Sequence, residues 1–289
     1  MKVGIAIKPG EARARKLAME LYSWLLKYDQ EVWIAEPCLM DKSGLQRLAL
    51  DQMSQSVELM IVLGGDGTLL HVARRFIGSS TPIMGINLGR LGFLTETPIG
   101  SMFDAVEQVL KGEGKVERRF GLLVEVWRGE QRFTAGHAIN DVVLQRNEHP
   151  RMIEFEMRVQ DQFVFRLRGD GLILATPAGS TAYALSAGGP IVHPRLPAIS
   201  VVPICPHILS NRPILVPAED AIELKVIESS APVALNLDGQ EHSVLEQGDR
   251  VRVEKTDYVS LVSLPGRNYY GVLRSKLHWG GRDKKEHAD

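Results

Sequence analysis

The sequence predicts an α/β domain with a parallel, Rossmann-like sheet, followed by an all-β sandwich. Three observations carry this. Over the first hundred residues, short apolar runs alternate with segments of helical spacing, which implies parallel strands joined by right-handed crossovers. After about residue 115 the texture changes to strict period two, with Ile153, Phe155, Met157 and Val159 alternating with Glu154, Glu156 and Arg158. Runs of that kind at short intervals are the pattern of antiparallel sheets packed face to face. Finally, Gly64-Gly65-Asp66-Gly67-Thr68 follows an apolar run and precedes LLHVARRF, which reads as strand, glycine turn and helix start.

In order, strands are predicted at Val3 to Ile7, Glu31 to Ala35, Val57 to Leu63 and Pro82 to Ile86. Helices are predicted over 11–28, with Leu17, Leu21, Trp24, Leu25 and Tyr28 on one face, over 43–55, near 68–77, and from Met102 to Leu110. In the second half, Val142 to Leu144, Phe163 to Leu167, Leu172 to Ala175, Ile222 to Val226, Val251 to Val253 and Tyr258 to Leu264 read as further strands. Residues 269–279 regain helical texture, and 281–289 look like a frayed tail. The expected division is residues 1–114, rejoined by 268–289, and 115–267.

The 289 residues suffice for one large or two ordinary domains, and 44% hydrophobic with 24% charged content is that of a globular protein. A formal net charge of −1 gives no global field for nucleic acid or an anionic membrane. The apolar run in MKVGIAIKPG is too short for a signal peptide, no run approaches a membrane span, and Cys38 and Cys205 show no paired spacing. They read as buried thiols in a reducing, cytoplasmic compartment.

GGDGT should arise by chance in roughly one chain in several thousand. Its glycines let a backbone approach a phosphate, and the N–H groups of Gly65, Gly67 and Thr68 at the helix start are candidates to hold one. Asp66 would repel a phosphate, so a proton-accepting or metal-holding role is its candidate chemistry. His71, five residues on, is a supporting candidate. In GDGLILATPAGSTAYALSAGGP, a strand ends at Thr176-Pro177 and Gly179-Ser180 opens a short helix. That helix gathers the hydroxyls of Thr181, Tyr183 and Ser186, which suit a sugar- or phosphate-bearing ligand. Asn140-Asp141, Arg151, Arg168 and Asp170 are individually ordinary. No Walker A run, complete dinucleotide fingerprint, zinc spacing or nucleophile elbow is present.

DGLILATPAGSTAYALSAGGPI, PICPHILSNRPILVP, LDGQ and LRSKLHWGGR, in that order behind GGDGT, resemble the bacterial-type NAD kinases from about Val3 to Arg282. GGDGT alone is shared with 6-phosphofructokinases and lipid kinases. The resemblance implies phosphorylation of the adenosine-ribose 2′-hydroxyl of NAD by ATP or another donor, with Asp66 as general base and a divalent cation, usually Mg²⁺, for which no residue is assignable. It also implies NAD contacts from Asp66, Gly67, His71, Asn140, Asp141, Thr181, Ala182, Tyr183, Ser186 and Gln240. Arg151, Arg168 and Asp170 complete the set, the last two lent by a neighbour in a homodimer or homotetramer. The chain departs from the family pattern at Ala178, where Thr is frequent, and at Ile208, where PHTL is usual. Asp141 stands where the family has Glu or Asp. The alternatives are a diacylglycerol- or sphingosine-type lipid kinase and a non-catalytic dinucleotide sensor.

Overall fold

The structure, a computed structural model, describes residues 1–36, 45–89, 92–147, 151–208, 210–266 and 268–279. In the first part, strands β1 (Lys2–Ile7), β2 (Glu31–Glu36), β3 (Gln46–Ala49), β4 (Leu59–Gly64) and β5 (Pro82–Asn87) alternate with helices α1 (Ala12–Lys27), α2 (Leu50–Ser56) and α3 (Asp66–Arg75). A two-residue strand β6 (Thr97–Pro98) and helix α4 (Met102–Leu110) follow. The strands are parallel in the order β5-β4-β1-β2-β3. Strand β4 is buried at every position, as expected of a parallel strand covered on both faces.

Two helical expectations are corrected here. Residues 46–49 are not helical but pair with Trp33–Glu36 as the sheet's edge, because an edge strand offers unpaired backbone groups to any neighbouring extended segment. The helix begins at Leu50, and residues 43 and 44 lie outside the described residues. The buried stripe of α1 runs through Ala14, Ala18, Leu21 and Leu25. The stripe is therefore rotated towards the small residues, which let the helix lie close on the sheet. Tyr28, past the helix end, is exposed and stacks on Trp24 at 4.2 Å between ring centroids.

The second part comprises β7 (Lys115–Arg128), β8 (Gln131–Ala138), β9 (Asp141–Arg146), β10 (Ile153–Val159), β11 (Gln162–Gly169), β12 (Gly171–Ala175), β13 (Ala198–Ile204), β14 (Ile214–Pro217), β15 (Ile222–Glu228), β16 (Val233–Leu237), β17 (Glu241–Leu245) and β18 (Arg250–Ser263). The short helix α5 (Tyr183–Ser186) lies between β12 and β13, and the C-terminal helix α6 (Tyr269–Leu277) follows β18. One antiparallel layer has the order β14-β13-β12-β9-β16-β17. Facing it lie β11, β10, β15, β18, β7 and β8. Phe155, Leu144, Leu174, Leu235 and Val253, all buried, fill the space between.

The facing layer is not confined to the sandwich. Strand β18 pairs antiparallel with β15 and β7, and then its Ser260 and Leu261 pair parallel with Pro82 and Ile83 of β5. One hydrogen-bonded sheet thus runs from the sandwich into the α/β part. The two strands expected at 251–253 and 258–264 are one. The polar Glu254-to-Asp257 interruption is absorbed as a register shift against β7 between Lys255 and Tyr258, the ordinary way a long strand bends. Cys205 is exposed rather than buried, since β13 ends at Ile204 and the chain turns out of the sheet at a positive φ of 43°. Cys38 lies outside the described residues.

Phe155 is wholly buried between the layers and meets Phe165 edge-on. Phe155→Ala should therefore cost about 3–5 kcal/mol, a fall of roughly 10 °C in Tm by thermal denaturation.

Candidate functional site

The turn after β4 is built so that a carboxylate stands at the N-terminus of α3. Gly65 caps the helix, and its carbonyl accepts from the Thr68 and Leu69 N–H groups at 3.0 and 3.1 Å. The Thr68 amide is therefore engaged within the turn. The Gly67 N–H keeps the position of a first-turn donor without an intrahelical acceptor.

The Asp66 carboxylate is held by the segment after β5. Its Oδ2 accepts from the Phe93 N–H at 2.8 Å, and its Oδ1 from the Leu94 N–H at 3.3 Å, the Thr95 N–H at 2.8 Å and the Thr95 hydroxyl at 2.7 Å. Asn87 Nδ2 donates to the same hydroxyl at 2.7 Å, so that Oγ1–H points to Asp66. Gly92 is forced by this packing, because a Cβ there would lie 1.8 Å from Asp66 Oδ1. Sequence reasoning passed over Asn87 and Phe93 to Thr95. The glycines of LGRLGFLT, directly behind a parallel strand next to β4, were the available signal.

One cavity opens beside this turn and another on the sandwich. A cleft of about 550 Å³ is lined by Lys8, Gly65, Gly67, Thr68, His71 and Gln240, among others. Partial burial, then the charges of Arg74 and Arg75, hold the His71 pKa below its ordinary value, so it faces the cleft as a neutral ring at neutral pH. A second cavity, about 440 Å³, lies on the six-stranded layer and is lined by Asn140, Asp141, Ala182, Tyr183, Asp238 and His242 with their neighbours.

Asp238 organises that second cavity. It sits at φ 53° in the turn between β16 and β17, ahead of Gly239 at φ 63°. Its carboxylate accepts from the Ile139, Asn140 and Asp141 N–H groups at 2.7 to 3.1 Å. Asp141 faces it, with the Tyr183 N–H donating to its carboxylate. Burial first, and then the Asp238 charge, push the Asp141 pKa up to about 7. Burial pushes Asp238 up as well, against its backbone donors and Arg74. Asn140 Oδ1 is buried without a protein partner. Gly179 lets this loop close, since a Cβ there would stand 2.0 Å from the Asn140 carbonyl oxygen.

The remaining predicted residues separate. Thr181 lines a small cavity of about 50 Å³ with Phe93, Leu94 and Tyr269, its hydroxyl donating to the Ala178 carbonyl. Ser186 is exposed at the end of α5, outside the linings of both larger cavities. Arg151 and Arg168 line a third groove of about 420 Å³ with Glu154, Glu228 and Ser229. Asp170 is paired with Arg146 at 2.7 Å. Unforeseen was Arg74 of α3, buried and ion-paired to Asp238 at 3.7 Å.

An acid-bearing glycine turn at a helix start, opening on a cleft and joined to a β sandwich, is the arrangement that the resemblance to the GGDGT phosphotransferases implies. The family models for the ATP-NAD kinase N-terminal and C-terminal domains match residues 3–114 and 139–263. The NAD kinase of Magnetococcus marinus is 40% identical over 282 residues, 96% of this chain and 93% of its own. That of Nitrosospira multiformis is 44% identical over 243 residues, 84% of this chain and 82% of its own. Among solved structures, yeast NADH kinase complexed with NADH superposes at a TM-score of 0.88 with 28% identity, over 98% of this chain and 89% of that one. An NAD kinase from Archaeoglobus fulgidus in complex with ATP superposes at 0.74 with 26% identity, over 96% and 99%. The chain belongs to the NAD kinase family, enzymes that phosphorylate NAD with ATP. The lipid-kinase alternative is thereby set aside.

The raised Asp141 pKa has a thermodynamic consequence. The folded chain keeps a proton there that the unfolded chain releases above its ordinary 3.8, so this group's contribution to stability falls as pH rises from about 4 to about 7. Asp141→Asn keeps an acceptor for the Tyr183 N–H and removes the titration. Its gain in Tm over the parent should be larger at about pH 8 than at about pH 5, measured without ligand.

Proposed function

We propose that NAD occupies the cavity around Asn140, Asp141 and Tyr183, and that the phosphoryl donor, ATP, occupies the cleft at the glycine turn. The terminal phosphoryl group then passes to the 2′-hydroxyl of the adenosine ribose. The observation that carries this reading is that one turn walls both cavities. Asp238 and Gly239 line the first and Gln240 the second, and Gln240 Nε2 donates to the Gly67 carbonyl at 2.7 Å. The NADH and ATP complexes of the yeast and archaeal relatives support it. So does Asn140 Oδ1, a buried acceptor suited to a base's amino group.

In this mechanism Asp66 receives the proton of the attacking hydroxyl. A carboxylate has about four lone-pair sites, and four protein donors engage it here. Three of the donors converge on Oδ1 and only the Phe93 N–H reaches Oδ2, so Oδ2 has the acceptor site for the incoming hydroxyl while the bonds to Oδ1 hold the carboxylate in orientation. The Gly67 N–H and the positive end of α3 offset phosphate charge. Lys8 lines the same cleft. Tyr183, 42% exposed, offers a ring face to a base or ribose.

Among the described residues no three His, Cys, Asp or Glu side chains converge, and both Asp66 oxygens are engaged. These residues do not fit a protein-built cage for the expected divalent cation. Such an ion would arrive on the donor's phosphates, where Mg²⁺ commonly sits.

Asp66→Asn should lower kcat by about 10²–10⁴-fold with the fold intact and NAD affinity largely kept. Near-normal kcat would remove Asp66 from the proton transfer. The experiment is a steady-state assay with NAD, ATP and magnesium, beside a direct NAD titration.

The Arg151–Arg168 groove shares no lining residue with either cavity. This separation supports our reading that the two arginines serve the dinucleotide of a neighbouring subunit in a homo-oligomer. Mixing Asp66→Asn and Arg168→Ala subunits, each nearly inactive, should restore part of the activity in a verified mixed oligomer. No recovery would mean that each site is built from a single chain.

A further inference from the structure

The geometry points to Arg74 as a positioning residue that sets the acceptor pocket and the phosphoryl-transfer turn in register through two separable arms. This rests on the two-cavity reading above and extends it to a residue outside both linings. Arg74 projects from the third turn of α3, two turns beyond Asp66, and only 6% of its side chain is exposed. It crosses from the α/β part to the turn between β16 and β17.

One arm is a pair of hydrogen bonds. Arg74 Nη1 donates to the Leu237 carbonyl at 3.3 Å and Nη2 to Gln240 Oε1 at 2.9 Å. The same Gln240 amide donates from its other end to the Gly67 carbonyl. This fixes the Gln240 amide so that its nitrogen faces Gly67, beside Asp66.

The other arm is electrostatic. Nη1 lies 3.7 Å from Asp238 Oδ2, whose side chain is wholly buried, and Nη2 lies 3.6 Å from Glu241 Oε1. Asp238 gathers the N–H groups of residues 139–141, and these carry Asn140 and Asp141 into the cavity. Without a facing cation, Asp238 would be a buried charge beside the carboxyl of Asp141. The guanidinium is suited to both arms because it is a planar fork of donors with a fixed charge. A lysine reproduces the charge but not the fork.

The arms are tested with Arg74→Lys, Arg74→Met and Gln240→Leu. For each, kcat and KM for NAD and for ATP are measured well below Tm, with circular dichroism as the control for folding. Arg74→Lys keeps the ion pair with Asp238, so KM for NAD stays within about 3-fold of the parent. Its kcat falls by about 10²-fold, the scale expected when a reacting group is misplaced by about 1 Å. Gln240→Leu shows the same split. The double variant Arg74→Lys with Gln240→Leu is no worse than the poorer single, because both break one arm. Arg74→Met loses the second arm too and raises KM for NAD by at least about 10-fold beyond the lysine variant.

If the methionine variant does not fold, the lysine, leucine and double variants carry the test alone. Additive losses in the double variant, or variants that lower Tm while kcat and KM stay at parental values, would overturn the inference and leave Arg74 a purely structural strut. Failure of the cavity reading itself shows elsewhere: Tyr183→Ala would then leave KM for NAD unchanged, whatever the Arg74 series does.

Discussion

A buried carboxylate in a tight turn organises this molecule. Asp238 occupies a left-handed conformation uncommon for a non-glycine residue, and Asp and Asn are among those that tolerate it. From there it collects N–H groups from the segment between β8 and β9 while facing the Arg74 guanidinium. An isolated buried carboxylate is costly. Removing one partner of such a pair typically costs about 3–5 kcal/mol because the other is left uncompensated. The turn, the 139–141 segment and α3 are thus held as one unit, and both cavities inherit their shape from it.

The continuous sheet supplies the rigid frame around that unit. Strand β18 hydrogen-bonds to sandwich strands along most of its length and to β5 at its end. The joint between the two parts is therefore backbone ladder as well as side-chain contact. Phosphoryl transfer gains mostly from positioning and charge neutralisation, so under the proposed assignment a stiff relation between the two cavities has direct chemical value. Hydroxyl and phosphate must meet at contact distance, and no flexible linker between separate domains would hold them there.

Much of this was legible in the sequence, and the rest was hidden for identifiable reasons. Period-two alternation marked β10 without error, because one of its faces is core and the other polar. Gln46 to Ala49 gave no such signal. At a sheet edge, pairing is set by the neighbour and not by side-chain pattern, so a helix-compatible tetrapeptide became a strand. GGDGT singled out Asp66 as a candidate through its local context. The four donors that hold it come from residues 93–95, about thirty positions downstream, and no local spacing encodes that meeting. Arg74 was invisible in the same way. An arginine on a helix is usually solvated, and only the tertiary arrangement places the 237–241 turn over it.

The separation of Arg151 and Arg168 from the cavities follows from strand geometry. Arg168 lies near the end of β11, an edge of the larger layer, paired with Glu154 of β10. Its side chain falls on the alternating face opposite that of Leu167, which is buried in the core. A core-facing neighbour thus forces Arg168 outward, and an outward residue at a sheet edge can serve a ligand only from outside the fold that carries it. The acidic residues Glu154 and Glu228 in the same groove offset part of the arginines' charge. Glu154 is itself paired with Arg166 at 2.7 Å, so an anionic ligand seated there would meet carboxylates as well as arginines. A surface of mixed sign suits the proposed contact across a subunit boundary better than it suits a free-standing anion site.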